Sequence, residues 1–140
     1  MKDTRRLNII YLGAGLIMTE KNNFSLQQRF KSFGYAIVGI FTLIKEQQNA
    51  WVHLLVTVFV VAAGVVFHVT AGQWMAIVFA IVLVWMAEAL NTSIELVCDL
   101  VSPDYHPLVK KAKDIAAGAV LVTAIGAVIV GLIIFLPYLF

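Results

Sequence analysis

Charge is what this chain of 140 residues has least of: charged residues make up 13% of it and hydrophobic residues 61%, with a mean hydropathy of +0.93. That balance excludes an ordinary soluble domain and places the chain in a membrane. A single cysteine, Cys98, excludes an intramolecular disulfide framework. With no CxxC spacing around it, it reads as a small apolar residue. There is no GxxxxGK[ST] run and no Gly-rich loop accompanied by HRD and DFG, so the phosphate loops of soluble nucleotide enzymes are missing. Gly13-Ala14-Gly15 lacks the strand, helix and later acid that a dinucleotide fingerprint requires. A net charge of +2 gives no reason to expect a nucleic-acid partner. Basic residues are also missing from a long central region, since all ten fall before residue 46 or between 110 and 113.

What is present is apolar and helical in pattern, which predicts an all-α membrane protein with three spans at about residues 50–69, 73–102 and 114–136. The second run, of about 30 residues, would be about 45 Å long and would overshoot the hydrocarbon core by about 15 Å. The loop at 70–72 has no basic residue, whereas the region before residue 50 and the loop at 103–113 hold all of them. The positive-inside rule puts the N-terminus and the second loop in the cytoplasm and leaves the C-terminus outside. In residues 24–45, Phe30, Phe33, Ile37, Ile40, Phe41 and Ile44 recur at helical steps against Arg29, Lys31, Ser32 and Lys45, the pattern of an amphipathic helix lying in the cytoplasmic interface. Residues 24–140 thus form one integral-membrane domain, preceded by an extension, 1–23, without an assigned role. Its Arg5-Arg6 and following apolar residues resemble a signal n-region and short h-region without a cleavage site, and Met18 offers an alternative start. In the third span, Ala119, Thr123, Ala127 and Gly131 form a stripe of small residues, suited to close helix packing within the chain or between chains.

Glu88, Asn91, Glu95 and Asp99 interrupt the second apolar run. At 100° per residue they share a wedge roughly 80° wide over about 16 Å of helix. A charged group at bilayer depth costs about 2.5–3.5 kcal/mol on insertion scales, and Glu88 is the deepest of the three acids. Three readings are open. The carboxylates could hold Mg²⁺ against substrate phosphates, relay protons across the membrane, or pair with Lys110, Lys111 and Lys113, which would suit Asp99 better than Glu88. Lys113 and Asp114, which follow the basic loop, favour phosphate chemistry.

Glu88-Ala-Leu-Asn-Thr-Ser-Ile-Glu95, Asp99 and Ala112-Lys-Asp-Ile-Ala-Ala-Gly-Ala-Val120 resemble the signature of the small prokaryotic integral-membrane lipid kinases, the diacylglycerol kinase and undecaprenol kinase family. Ser32-Phe-Gly-Tyr-Ala-Ile-Val-Gly39, Glu46-Gln-Gln-Asn49 and His53 extend the resemblance from about residue 29 to the C-terminus; Ser93 stands where an alanine is common. The resemblance implies a homotrimer in the bacterial cytoplasmic membrane, with active sites shared between neighbouring subunits at the cytoplasmic face. It further implies Glu88 as general base and Glu46 and Glu95 as ligands of ATP-bound Mg²⁺. Tyr35, Asp104, Tyr105, His106, Lys113 and Asp114 would line the nucleotide, with Glu46 and Glu95 also contacting it. Arg29, Asn91 and Ala117 would join Glu88 at the lipid, and Asn49 and Asp99 would support the site.

Glu46-x-x-Asn49-x-x-x-His53 and the closing run from Gly131 to Pro137-Tyr138 resemble the undecaprenol kinase branch more than the diacylglycerol kinase branch. The expected reaction is ATP-dependent phosphorylation of undecaprenol, with diacylglycerol as the alternative acceptor. A small proton-coupled transporter and a noncatalytic membrane subunit are the competing classes.

Overall fold

The computed structural model describes the backbone of Leu7–Leu12, Gly15–Glu20 and residues 25–140. It contains a hairpin and four helices: β1 (Leu7–Leu12), β2 (Gly15–Glu20), α1 (Leu26–Glu46), α2 (Gln48–Val66), α3 (Ala71–Val101) and α4 (Pro107–Leu139). The last three are long and apolar enough to cross a membrane, which makes this an integral membrane protein of helical architecture. The chain divides into two compact units, Met1–Val38 and Gly39–Phe140.

In the first unit, β1 and β2 pair antiparallel, with Leu7 opposite Glu20 and Leu12 opposite Gly15. The segment that resembles a short signal h-region is therefore extended here. Ile9, Ile10 and Tyr11 in one strand and Ile17 and Thr19 in the other are β-branched or aromatic, types that favour a pleated backbone. α1, which begins in the first unit and ends in the second, covers the expected 24–45 helix to within two residues and carries Lys45 in its last turn, where a cation meets the negative end of the helix dipole.

The second unit is organised by its helix ends. α2 stops at Val66, three residues before the end of the apolar run, because His68 takes a left-handed conformation with φ 51°. His68 N–H then donates to Val65 O at 3.2 Å and Val69 N–H to Gly64 O at 3.1 Å. This pair of bonds is a Schellman closure with a histidine where glycine is usual. α3 begins at Ala71, two residues earlier than the apolar run, through a capping box. Gln73 N–H donates to Thr70 Oγ1 at 3.4 Å and Thr70 N–H to Gln73 Oε1 at 2.8 Å, satisfying two donors left open at a helix start. Trp74 lies so close to Gly64 that a Cβ there would sit 2.8 Å from the indole, so the glycine permits the tight α2–α3 turn.

α4 is longer than the expected span at both ends. It starts at Pro107 instead of 114, since proline suits the first helical turn and His106 Nδ1 accepts from Leu108 N–H at 3.2 Å. Lys110, Lys111 and Lys113 therefore sit on helix, not in the loop. At the other end α4 runs through Pro137 to Leu139. Proline removes one hydrogen bond there, and Tyr138 anchors the last turn: its hydroxyl donates to Gln73 Oε1 at 2.9 Å and its ring meets Phe67 at 5.5 Å.

Val69, Ile77 and Ile134 form a buried cluster with Phe67, Trp74 and Phe135 around them. α3 packs along α4 far more extensively than along α2. An apolar groove of about 320 Å³ lies among the three helices, and Ala127 and Gly131 of the small-residue stripe line it, whereas Ala119 is exposed. Part of the stripe thus faces a space within the chain. Replacing His68 by glycine removes the cost of a left-handed side-chain residue and is expected to raise stability by up to about 1 kcal/mol. Thermal unfolding in detergent checks it, and a lower Tm for His68→Gly would contradict the closure described.

Candidate active site

The inner face of α3 carries the polar residues that the bilayer disfavours most. Glu88 is 1% exposed, Asn91 7% and Thr92 9%, all set inward by the same helical phase that turns Leu90 and Ile94 outward. Glu88 Oε1 and Oε2, Asn91 Oδ1 and Thr92 Oγ1 are buried without a hydrogen-bond partner. Buried polar groups in native proteins are normally satisfied, so this run of orphans marks the site. Asn91 Nδ2 donates to Glu95 Oε1 at 3.0 Å, one turn along the helix.

His53, from the second turn of α2, approaches Glu88 across the helix interface with Nε2 3.7 Å from Oε2. Trp85 stands beside it, ring centroids 6.4 Å apart and planes at 64°. The indole Nε1–H donates to Thr57 Oγ1 at 3.1 Å. His53 and Thr57 also line the apolar groove, so the buried acid adjoins a hydrophobic space.

The acids divide by depth as their spacing on α3 requires. Asp99 is 65% exposed and pairs with Lys113 at 2.6 Å, as the lysine-pairing reading expects for that residue. Lys110 pairs with Asp114 at 2.5 Å, four residues along α4. Glu88 meets none of these lysines among the described ion pairs. Lysine pairing therefore accounts for the end of the wedge and not for its buried part.

Other residues of the sequence reading occupy defined places. Glu46 ends α1 and Asn49 lies in the first turn of α2, both exposed. Asp104, Tyr105 and His106 form the exposed α3–α4 connection, where Ser102 Oγ donates to Asp104 O at 3.1 Å. Ala117 is exposed beside buried Ala116 on α4. Arg29 and Tyr35 belong to the first unit. Among the described residues no three His, Cys, Asp or Glu side chains cluster to hold a metal. The donors at the wedge are nonetheless of the hard kind Mg²⁺ takes: the Glu95 carboxylate and the unpartnered Asn91 Oδ1. Mg²⁺ commonly uses one or two carboxylates, with substrate phosphates and water completing the shell.

The roles of Thr92, Trp85 and Thr57 escape the sequence reading, and His53 figures in it only as a motif residue. Helical phase tells which residues share a face of α3 but not which residue of α2 meets that face.

Comparison with known proteins identifies the family. The sequence profile of the family described as prokaryotic diacylglycerol kinase matches residues 34–135. An undecaprenol kinase of Bacillus subtilis is 40% identical over 114 residues, covering 81% of this chain and 93% of the relative. A diacylglycerol kinase of Synechocystis is 43% identical over 107 residues, 76% of this chain and 61% of the relative. A diacylglycerol kinase of Escherichia coli K12 is 42% identical over 53 residues, 38% of this chain and 43% of the relative. With nearly three quarters of its length under the profile, and with the acid-bearing α3 inside it, the chain belongs to the prokaryotic diacylglycerol kinase family of membrane lipid kinases.

Proposed function

We propose that this protein transfers the γ-phosphoryl group of ATP to the hydroxyl of undecaprenol, at the cytoplasmic face of a bacterial cytoplasmic membrane, with Glu88 as general base. The observation that carries this reading is Glu88 itself, a carboxylate 1% exposed in an apolar helix with neither oxygen hydrogen-bonded. Such a group is costly unless a substrate or counter-group uses it. A lipid alcohol can meet cytosolic ATP only at the membrane surface, and a base just inside that surface can reach its proton.

In the reaction Glu88 takes the hydroxyl proton as the alcohol oxygen bonds to the γ-phosphorus and the bond from that phosphorus to the bridging oxygen breaks, releasing ADP. Asn91 orients Glu95 through its 3.0 Å bond. Glu95 and Glu46 would hold Mg²⁺, which when bound neutralises charge on the phosphates. Lys113 and Asp114 contact the nucleotide, with Asp104, Tyr105, His106 and Tyr35 along it. Arg29 and Ala117 serve the lipid, and Asn49 and Asp99 support the site. Lys113 and Asp114 are held meanwhile by Asp99 and Lys110. Exposed ion pairs of this kind are worth about 0–1 kcal/mol, so phosphate oxygens can displace them.

Undecaprenol is favoured because the Bacillus subtilis relative bearing that name is matched over 93% of its length. Diacylglycerol is the second reading, supported by the Synechocystis relative at 43% identity. The N-terminus and the α3–α4 connection face the cytoplasm, where the lysines lie, with α1 in the interface. Three copies share their active sites.

Purified protein in lipid with radiolabelled ATP, Mg²⁺ and a panel of lipid alcohols is expected to label undecaprenol most rapidly. Faster labelling of diacylglycerol would favour the second reading, and no labelled lipid would overturn both. Glu88→Gln should assemble normally and lose about a hundredfold or more in kcat; wild-type turnover in that variant would remove the base assignment. Asp99→Asn is expected to lose less than about tenfold, mainly through KM for ATP, since its pair with Lys113 is exposed. Crosslinking in lipid should trap a three-chain species, and monomers alone would contradict the shared site.

A further inference from the structure

His53 has no part in the reaction as proposed, yet its ring is held from two sides. The bond from Trp85 Nε1 to Thr57 Oγ1, 3.1 Å long, spans α3 and α2 and fixes the indole edge-on to the imidazole. Nε2 on the other side faces Glu88 Oε2 at 3.7 Å. Among the described ion pairs, His53 is the basic group that reaches Glu88, and it is itself half-buried against the apolar groove. One side chain, His53, thus approaches one carboxylate oxygen, with Trp85 and Thr57 bracing its ring from two helices.

We infer that His53 is a positioning residue for Glu88. Its Nε2–H donates to Oε2 in the substrate complex, turning Oε1 toward the lipid hydroxyl. The distance of 3.7 Å exceeds the roughly 2.7–3.2 Å of a hydrogen bond, and contacts to a catalytic group commonly shorten when substrate arrives. The donor also offsets part of the cost of an ionised carboxylate at bilayer depth. Thr57 and Trp85 act one step further out by limiting the ring's rotation. A base held in one orientation keeps its lone pair on the line of proton transfer, and loss of such alignment costs about a hundredfold where displacement reaches about 1 Å. The inference rests on Glu88 being the base.

The test compares full-length His53→Leu, His53→Gln and Trp85→Phe in lipid with ATP, Mg²⁺ and undecaprenol. His53→Leu is expected to lower kcat about ten- to a hundredfold while KM for ATP and for lipid changes by less than about twofold. Glutamine places an amide donor near the Nε2 position, so His53→Gln should recover kcat to within about fivefold of wild type. Trp85→Phe, which keeps a ring and loses the Thr57 bond, should show an intermediate kcat. In a Glu88→Gln background His53→Leu should cost nothing further, because two residues acting as one unit are non-additive. Unchanged kcat in His53→Leu beside an inactive Glu88→Gln would overturn this inference and leave the base standing. A loss confined to KM, an equal loss in the glutamine variant, or a full multiplicative loss in the double variant would overturn it too. An active Glu88→Gln would instead remove the reading on which it rests. Should His53→Leu fail to insert, a His53→Gln kcat below that of Trp85→Phe would decide against it.

Discussion

A carboxylate buried in an apolar helix is the constraint around which this molecule is arranged. In a bilayer there is no water to satisfy Glu88, and each ionised group at depth costs several times the worth of a surface ion pair. The fold answers by setting Glu88 on the side of α3 that faces its own neighbours, at 1% exposure. It brings one basic side chain from α2 beside it, and that side chain in turn borders the apolar groove and the Trp85 indole. The remaining deficit is that neither oxygen is hydrogen-bonded.

The two ends of the helical unit differ in how they are held. At the α2–α3 turn the constraints are local and directional: a Schellman closure at His68, a capping box at Thr70, an indole seated on Gly64, and Tyr138 bound to Gln73. The closure, the box and the tyrosine bond satisfy backbone or side-chain groups that would otherwise be open. At the α3–α4 end Asp99 of α3 pairs with Lys113 of α4, and Lys110 pairs with Asp114 one turn along α4, all at the exposed surface. Exposed pairs of this kind are worth about 0–1 kcal/mol. The two ends thus differ in the kind of interaction that closes them, hydrogen-bonded caps and ring packing at one and solvent-exposed charge pairs at the other.

How much of this was legible in the sequence follows from which forces are local. The three spans and the polar wedge rest on hydropathy and a period of 3.6 residues, both of which a single strand of text carries. The start of α4 was hidden because three lysines suggest a loop, although lysine is a good helix former and Pro107 suits a first turn. The end of α2 was hidden because a left-handed histidine leaves no signature comparable to glycine. His53 could be noticed as a motif residue, but its contact with Glu88 depends on how α2 rotates against α3, a tertiary quantity. Asp99 was the opposite case: its place near the basic residues of the α3–α4 region suggested the pair with Lys113 that the structure contains.

The length of α3 sorts the acids into different chemical tasks. From its first residue, Ala71, Glu88 lies about 26 Å along the axis, Asn91 about 30 Å, Glu95 about 36 Å and Asp99 about 42 Å, at 1.5 Å per residue. With the capped start of α3 at one edge of a hydrocarbon layer about 30 Å thick, Glu88 falls just inside the opposite edge and Asn91 at it. Glu95 and Asp99 stand beyond, among headgroups and water. The group proposed to handle the lipid hydroxyl is thus the one hydrocarbon reaches, and the group proposed to face metal and phosphate is the one water reaches. One uninterrupted helix, longer than a hydrocarbon layer is thick, carries acids from a buried stretch to an exposed end. A helix cut to the usual 20 residues could not have carried both.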